Sequence, residues 1–279
     1  MVSVLIDAFI DTLKLIPYLF LTFLILEFLE HKISQKMQSK LFKYKKIGPL
    51  VGGVMGGFPQ CGFSVMAANL YTARVITMGT LIAVFLATSD EMLPIMISEN
   101  APVSLIFGII GFKIVVGIVV GLIVDAIFRK KIERGNTIRN ICDDEHCDCD
   151  KNGVLVSSLK HTVKTLIFVL VANLIINVAI YFIGTDNLSG LLGSHNILVY
   201  FVVSLIGLIP NCAGSIVLTE VYLANLITTG TVLAGLLTCS GIGILLLFRS
   251  NKSLKENLTV LSVVYFVGVA VGMLVDLVL

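Results

Sequence analysis

The chain has 279 residues, of which 57% are hydrophobic and 14% charged, with a mean hydropathy of +0.99; soluble domains average about 25% charged residues. That balance excludes a single soluble core and points to an all-α integral membrane protein, since apolar runs of about 20 residues match the thickness of a hydrocarbon core. Net charge is +2, and no basic-aromatic pattern suggests a nucleic-acid partner.

The first apolar stretch, about 4–30, follows Met1-Val2-Ser3-Val4-Leu5-Ile6-Asp7. It has neither the basic start nor the small-residue cleavage site of a signal peptide, so it is expected to remain as a span. Six lysines follow, from Lys32 to Lys46. Next comes a broken apolar segment, about 47–73, interrupted by Phe58-Pro59-Gln60-Cys61-Gly62-Phe63-Ser64. A third element covers 75–97 and a last span 103–128. A polar linker, 129–153, contains Arg129, Lys130, Lys131, Arg134 and Arg139.

The same order then returns. Ile209-Pro210-Asn211-Cys212-Ala213-Gly214-Ser215 repeats the broken motif at an offset of 210 − 59 = 151. The register holds through Tyr71/Tyr222, Thr77/Thr228, Gly79/Gly230, Thr80/Thr231 and Ser89/Ser240, and both halves end in G-x-x-x-G-x-x-x-D, with Gly117/Gly268, Gly121/Gly272 and Asp125/Asp276. Upstream, Thr12-Leu13-Lys14 matches Thr162-Val163-Lys164 at an offset of 150. Two membrane repeats, 1–128 and 154–279, are therefore expected on either side of the linker. The second has elements at about 155–183, 196–225, 226–248 and 256–278.

Charge sets their orientation. The Lys32–Lys46 cluster, the basic linker and Arg249, Lys252 and Lys255 all read as cytoplasmic, whereas 98–102 and 185–196 carry no Lys or Arg. Copy one then starts outside and copy two inside, with both termini external: inverted-topology repeats. Residues 47–58 make about 18 Å of helix at 1.5 Å per residue, too short to cross. Because the segment begins and ends beside inner charges, it reads as a re-entrant hairpin. Each copy then holds about three full spans plus a hairpin, about ten helical elements in all, and the two tips approach from opposite faces.

Backbone freed inside a membrane is tolerated where it lines a cavity or lies in protein, and paired broken helices mark binding sites in transporters. Candidate substrate residues are thus Gln60, Cys61, Ser64, Asn211, Cys212 and Ser215 at the two breaks, with Ser89 and Ser240 further along. Asp90 and Glu91 are the strongest ionisable candidates, at about 2.5–3.5 kcal/mol each if placed at a helix centre; their repeat partners are Gly241 and Ile242. Simple hydration near a membrane surface is the competing explanation. A buried cysteine is usually a small hydrophobe, yet Cys61 and Cys212 each follow a proline and an amide at matched positions. Thiolates are soft ligands and the carboxylates and amide carbonyls hard ones. Cys61, Cys212, Asp90 and Glu91 therefore form a candidate set for a transition metal or a thiophilic species such as trivalent arsenic. Cys239 is a weaker candidate, Glu220 reads equally as interfacial, and Asp125 and Asp276 read as interfacial helix ends. In the linker, Cys142, His146, Cys147 and Cys149 among five carboxylates suggest metal capture, against an incidental acidic loop.

With the F-P-Q-C-G-F-S and I-P-N-C motifs, the Leu70–Leu81 run and Ala87-Thr88-Ser89-Asp90-Glu91, nearly the whole chain resembles the ten-helix heavy-metal exporter family, whose members are labelled arsenic efflux proteins or manganese transporters. The resemblance implies metal or metalloid efflux through the inner or plasma membrane. No Walker A loop is present, and no resident cofactor is expected beyond a transported or bound metal. Lipid and the metal substrate are the expected partners, and a homodimer is possible. The competing functions are a carrier of organic anions or amphipathic metabolites and, with less support, a membrane phosphatase, which would need a basic group beside the breaks.

Overall fold

The computed structural model describes residues 47–58, 62–88, 92–132, 197–210 and 213–278, with further helical residues at 16–17, 20–21, 24, 159, 162–163, 166–167 and 170–171. The described segments are helices joined by short turns, without a strand among the described residues. In chain order the helices are α1 (Gly48–Gly56), α2 (Gly62–Thr72), α3 (Met78–Ala87), α4 (Met92–Ser98) and α5 (Val103–Ile132), then α6 (Ile197–Gly207), α7 (Ala213–Leu223), α8 (Thr229–Thr238), α9 (Gly243–Ser250) and α10 (Leu254–Val278). The boundaries of α2 and α7, and of α3 and α8, differ by 151 at both ends. Most of the first spans and linker residues 133–153 lie outside the described residues, while 129–132 continue α5.

The third element differs from expectation. It is two short helices, α3 ending at Ala87 and α4 beginning at Met92, and likewise α8 and α9 on either side of 239–242. Residues Thr229–Ser250 together are long and apolar enough to cross a membrane, as are Val103–Phe128 and Leu254–Val278. The physical reason for the break is legible in the second half: Gly241 adopts φ 55°, a left-handed conformation that glycine takes without steric cost.

α3 and α8 form the centre. All ten residues of α3 are buried, and the two helices touch each other. Their side chains are apolar apart from threonines, and each helix starts at a threonine cap, Thr77 or Thr228, whose hydroxyl accepts the amide of Thr80 at 3.1 Å or of Thr231 at 3.2 Å. Around them stand α5 and α10, which present Phe107, Val115, Ile123 and Ile127, or Leu258, Phe266, Leu274 and Leu277, on their exposed sides. An apolar exterior over an internally bonded helix is what a lipid environment requires.

Packing contacts set the directions. α1 runs parallel to α3, with Gly48 against Thr80 and Gly56 against Val84 and Ala87. α5 runs antiparallel to α3, from Asp125 beside Gly79, through Gly117 beside Ala83, to Lys113 beside Thr88. Small residues permit the approach: a Cβ on Gly79 would strike the Gly121 carbonyl, and one on Gly230 the Gly272 carbonyl.

The halves interlock. α2 packs on α9, and α7 on α4, so each helix that follows a first break meets the other half's helix that follows a second break.

Candidate functional site

Each half of the described structure has two breaks, and the residues flanking them come together. Ser64, fully buried near the start of α2, lies so close to Gly243 at the start of α9 that a Cβ there would sit 2.8 Å from the serine Cβ. In the other half, Gly214 near the start of α7 faces Cys239, whose Sγ is 3.9 Å from the corresponding Cβ position. Ser215 is also buried, and its carbonyl accepts the Thr219 hydroxyl at 2.7 Å. Ser240 is buried with its hydroxyl donating to the Thr238 carbonyl at 3.3 Å. Of the sequence candidates, Ser64, Ser215 and Ser240 thus flank one interior region. Gln60, Cys61, Ser89, Asp90, Glu91, Asn211 and Cys212, together with Cys142, His146, Cys147 and Cys149 of the linker, lie outside the described residues.

Lys113 is the feature that sequence reasoning missed. It sits within the apolar run of α5, is fully buried, and donates from Nζ to the carbonyl oxygens of Thr88 and, at 2.8 Å, Leu236. Thr88 ends α3 and Leu236 lies in the last turn of α8, so one ammonium binds the C-terminal ends of both central helices. Those ends carry about half a negative elementary charge each, which is the electrostatic reason a cation is tolerated there. Lys113 lies ten residues into the Val103–Phe128 helix, or about 15 Å at 1.5 Å per residue, near the middle of that apolar stretch. The signal that would have found it is a lone lysine in a 26-residue apolar span, which by default marks a functional residue.

Asp125 and Asp276, read from the sequence as interfacial helix ends, each bond to the start of a central helix. Asp125 accepts the Thr77 hydroxyl at 2.6 Å and the Gly79 amide at 2.9 Å. Asp276 accepts the Thr228 hydroxyl and, at 2.8 Å, the Gly230 amide. Each carboxylate closes the N-terminus of a central helix, where the macrodipole favours negative charge. Glu220 is exposed on α7 and stands apart from the breaks.

A second polar cluster joins the halves away from the breaks. Arg74, in the turn after α2, pairs with Glu256 of α10 at 2.9 Å. Glu256 also accepts the Tyr71 hydroxyl at 3.0 Å, and the Arg74 guanidinium lies 5.5 Å from the Tyr71 ring centre.

Among the described residues no group of three His, Cys, Asp or Glu is placed to hold a metal. A groove lined by Gly108, Phe112, Leu233, Val271 and Leu274 is almost wholly apolar and supplies no ligand for an ion.

Three helical stretches long and apolar enough to cross a membrane, with lipid-compatible outer faces on α5 and α10, make this a multi-pass membrane protein. A family model described as "Putative, 10TM heavy-metal exporter" matches residues 1–185, and the chain belongs to that family. No curated protein and no solved structure matches it.

Proposed function

We propose that the protein is a secondary transporter that exports a metal or metalloid, such as Mn²⁺, another heavy metal or an arsenic species, by alternating access. Its two inverted repeats, 1–128 and 154–279, enclose the substrate between two re-entrant hairpin tips. The observation that carries this reading is the meeting of residues that flank the breaks, where Lys113 links Thr88 to Leu236 and Ser64 abuts Gly243. Helix directions support the hairpin: α1 travels with α3, and α2 ends beside the start of α3, so the chain turns back between the end of α1 and the start of α2. The charge pattern supports inversion, with the linker 129–153 cytoplasmic and both termini external in the plasma membrane.

In this mechanism Cys61 and Cys212 bind the soft cargo, and the Gln60 and Asn211 carbonyls add harder oxygen ligands. Asp90 and Glu91 balance cationic charge or exchange protons. The hydroxyls of Ser64, Ser89, Ser215 and Ser240 complete the lining. Rocking of the halves about the α3/α8 contact exposes the site to each face in turn. Cys142, His146, Cys147 and Cys149 capture metal from the cytoplasm, and a homodimer is a possible assembly. The chain acts as a carrier and not as an enzyme. One observation favours a second reading, transport of organic anions: the buried Lys113 ammonium places a fixed positive charge beside the breaks.

Proteoliposome flux decides between them, with Mn²⁺, Zn²⁺, Cd²⁺, arsenite and an organic anion as substrates. We expect metal or arsenite flux, a loss of at least tenfold in Cys61→Ser and Cys212→Ser, and a smaller loss on deleting 142–150. Anion flux alone would replace the metal reading, while metal flux indifferent to both substitutions would remove the thiols from the site.

A further inference from the structure

Lys113 raises a question that cargo binding does not answer: why an ammonium should hold the ends of two central helices together in the membrane interior. Its two identified acceptors are main-chain carbonyls, Thr88 O and Leu236 O, one from each half. Both belong to C-terminal helix ends, where carbonyls lack partners from their own helix and carry partial negative charge. Carbonyl oxygens that converge from interrupted helices are also what Na⁺ or K⁺ binds in membrane proteins, because they replace the ion's water shell. The halves differ at this point. Residue 113 aligns with Val264 at the offset of 151, and Val264 is buried within an apolar cluster.

We infer that Lys113 is a tethered cation standing in an alkali-ion site formed by the C-terminal ends of α3 and α8. The covalently attached ammonium supplies the charge that Na⁺ or K⁺ would otherwise supply, so the junction between the halves is independent of either ion. Its role is positional: it acts through the two helix ends and not by touching cargo. A neutral side chain at 113 leaves the carbonyls buried without their donor, which is costly, and opens room for a free cation.

The test reads thermal unfolding of the full chain in detergent, in NaCl, KCl or choline chloride at matched ionic strength. It requires no knowledge of the cargo, so it stands or falls separately from the transport reading. Wild type and Lys113→Arg are expected to unfold at the same temperature in all three salts. Lys113→Ala and Lys113→Gln are expected to unfold lower in choline and to regain stability saturably with Na⁺ or K⁺, by about 5 °C at 100 times the ion's Kd. If the neutral variants can be purified only with Na⁺ or K⁺ present, the inference is supported. It is overturned if the folded neutral variants respond alike to sodium, potassium and choline, if they fail to fold in every salt while Lys113→Arg is normal, or if wild type itself is stabilised by Na⁺ or K⁺ over choline.

Discussion

The two halves of the molecule use one backbone plan for different purposes, and the contrast separates scaffold from specialisation. Where they agree, the interactions are structural: Thr77, Gly79 and Asp125 reproduce Thr228, Gly230 and Asp276 bond for bond. Where they diverge, a charged residue in one half has an uncharged counterpart in the other. Lys113 faces the central helix ends while its counterpart Val264 is apolar. Arg74 pairs with Glu256, whereas the corresponding positions hold Asn225 and Leu105. A duplicated framework can keep its packing and still acquire direction, because a few unpaired differences suffice to make its two sides unequal.

The largest expected effect tests the shared packing. Gly79→Val and Gly230→Val each drive a side chain into a facing carbonyl, and each should cost about 3 kcal/mol or prevent folding. Gly108→Val is the control, since a Cβ there meets nothing within 4 Å; it should unfold at the wild-type temperature. If Gly79→Val leaves stability intact while Gly230→Val does not, the scaffolds are not equivalent.

Next come the helix-closing carboxylates. Asp125→Ala should lower stability by about 1–2 kcal/mol, the usual cost of losing a cap, which thermal melts would read as about 2–8 °C. Asp276→Ala should cost somewhat more, because it also strands the Tyr200 hydroxyl that donates to it at 2.6 Å. Equal losses would show that this tyrosine contributes nothing.

Smaller still is the ion pair. Arg74→Gln should cost about 0.5–1 kcal/mol, as the pair is partly exposed, and Asn225→Gln close to zero. Both residues occupy the left-handed region, with φ of 61° and 58°. Asn225→Gly should therefore gain a few tenths of a kcal/mol, whereas Arg74→Gly offsets that gain with the lost pair. Denaturant midpoints of the four variants would show whether the ion pair is what distinguishes these turns.

Much of the plan was legible in the residues. Proline, glycine and aspartate at fixed offsets aligned the two halves and gave the breaks before α2 and α7, because those residue types have few conformational alternatives, but the ends of α3 and α8 were not among the expectations. The breaks between α3 and α4 and between α8 and α9 were less visible: Ser89 and Cys239 interrupt apolar runs without a proline, and a run of suitable length reads as continuous. Lys113 was hidden by averaging, since one ammonium hardly changes the hydropathy of 26 apolar residues. The partners of Asp125 lie 46 and 48 residues upstream, a proximity that chain order does not reveal.

The cross-packing of α2 on α9 and of α7 on α4 also has a consequence for synthesis. When the ribosome has made residues 1–150, α2 has only α1 and α3 to rest on, and α2 and α4 lack their partners α9 and α7. They can dock only after residues 213–250 have emerged and been inserted, so the first half must wait in the bilayer in an incomplete form. Maturation is therefore a late, concerted event. Coexpressed halves should complete one another, whereas either half alone should remain exposed to membrane proteases.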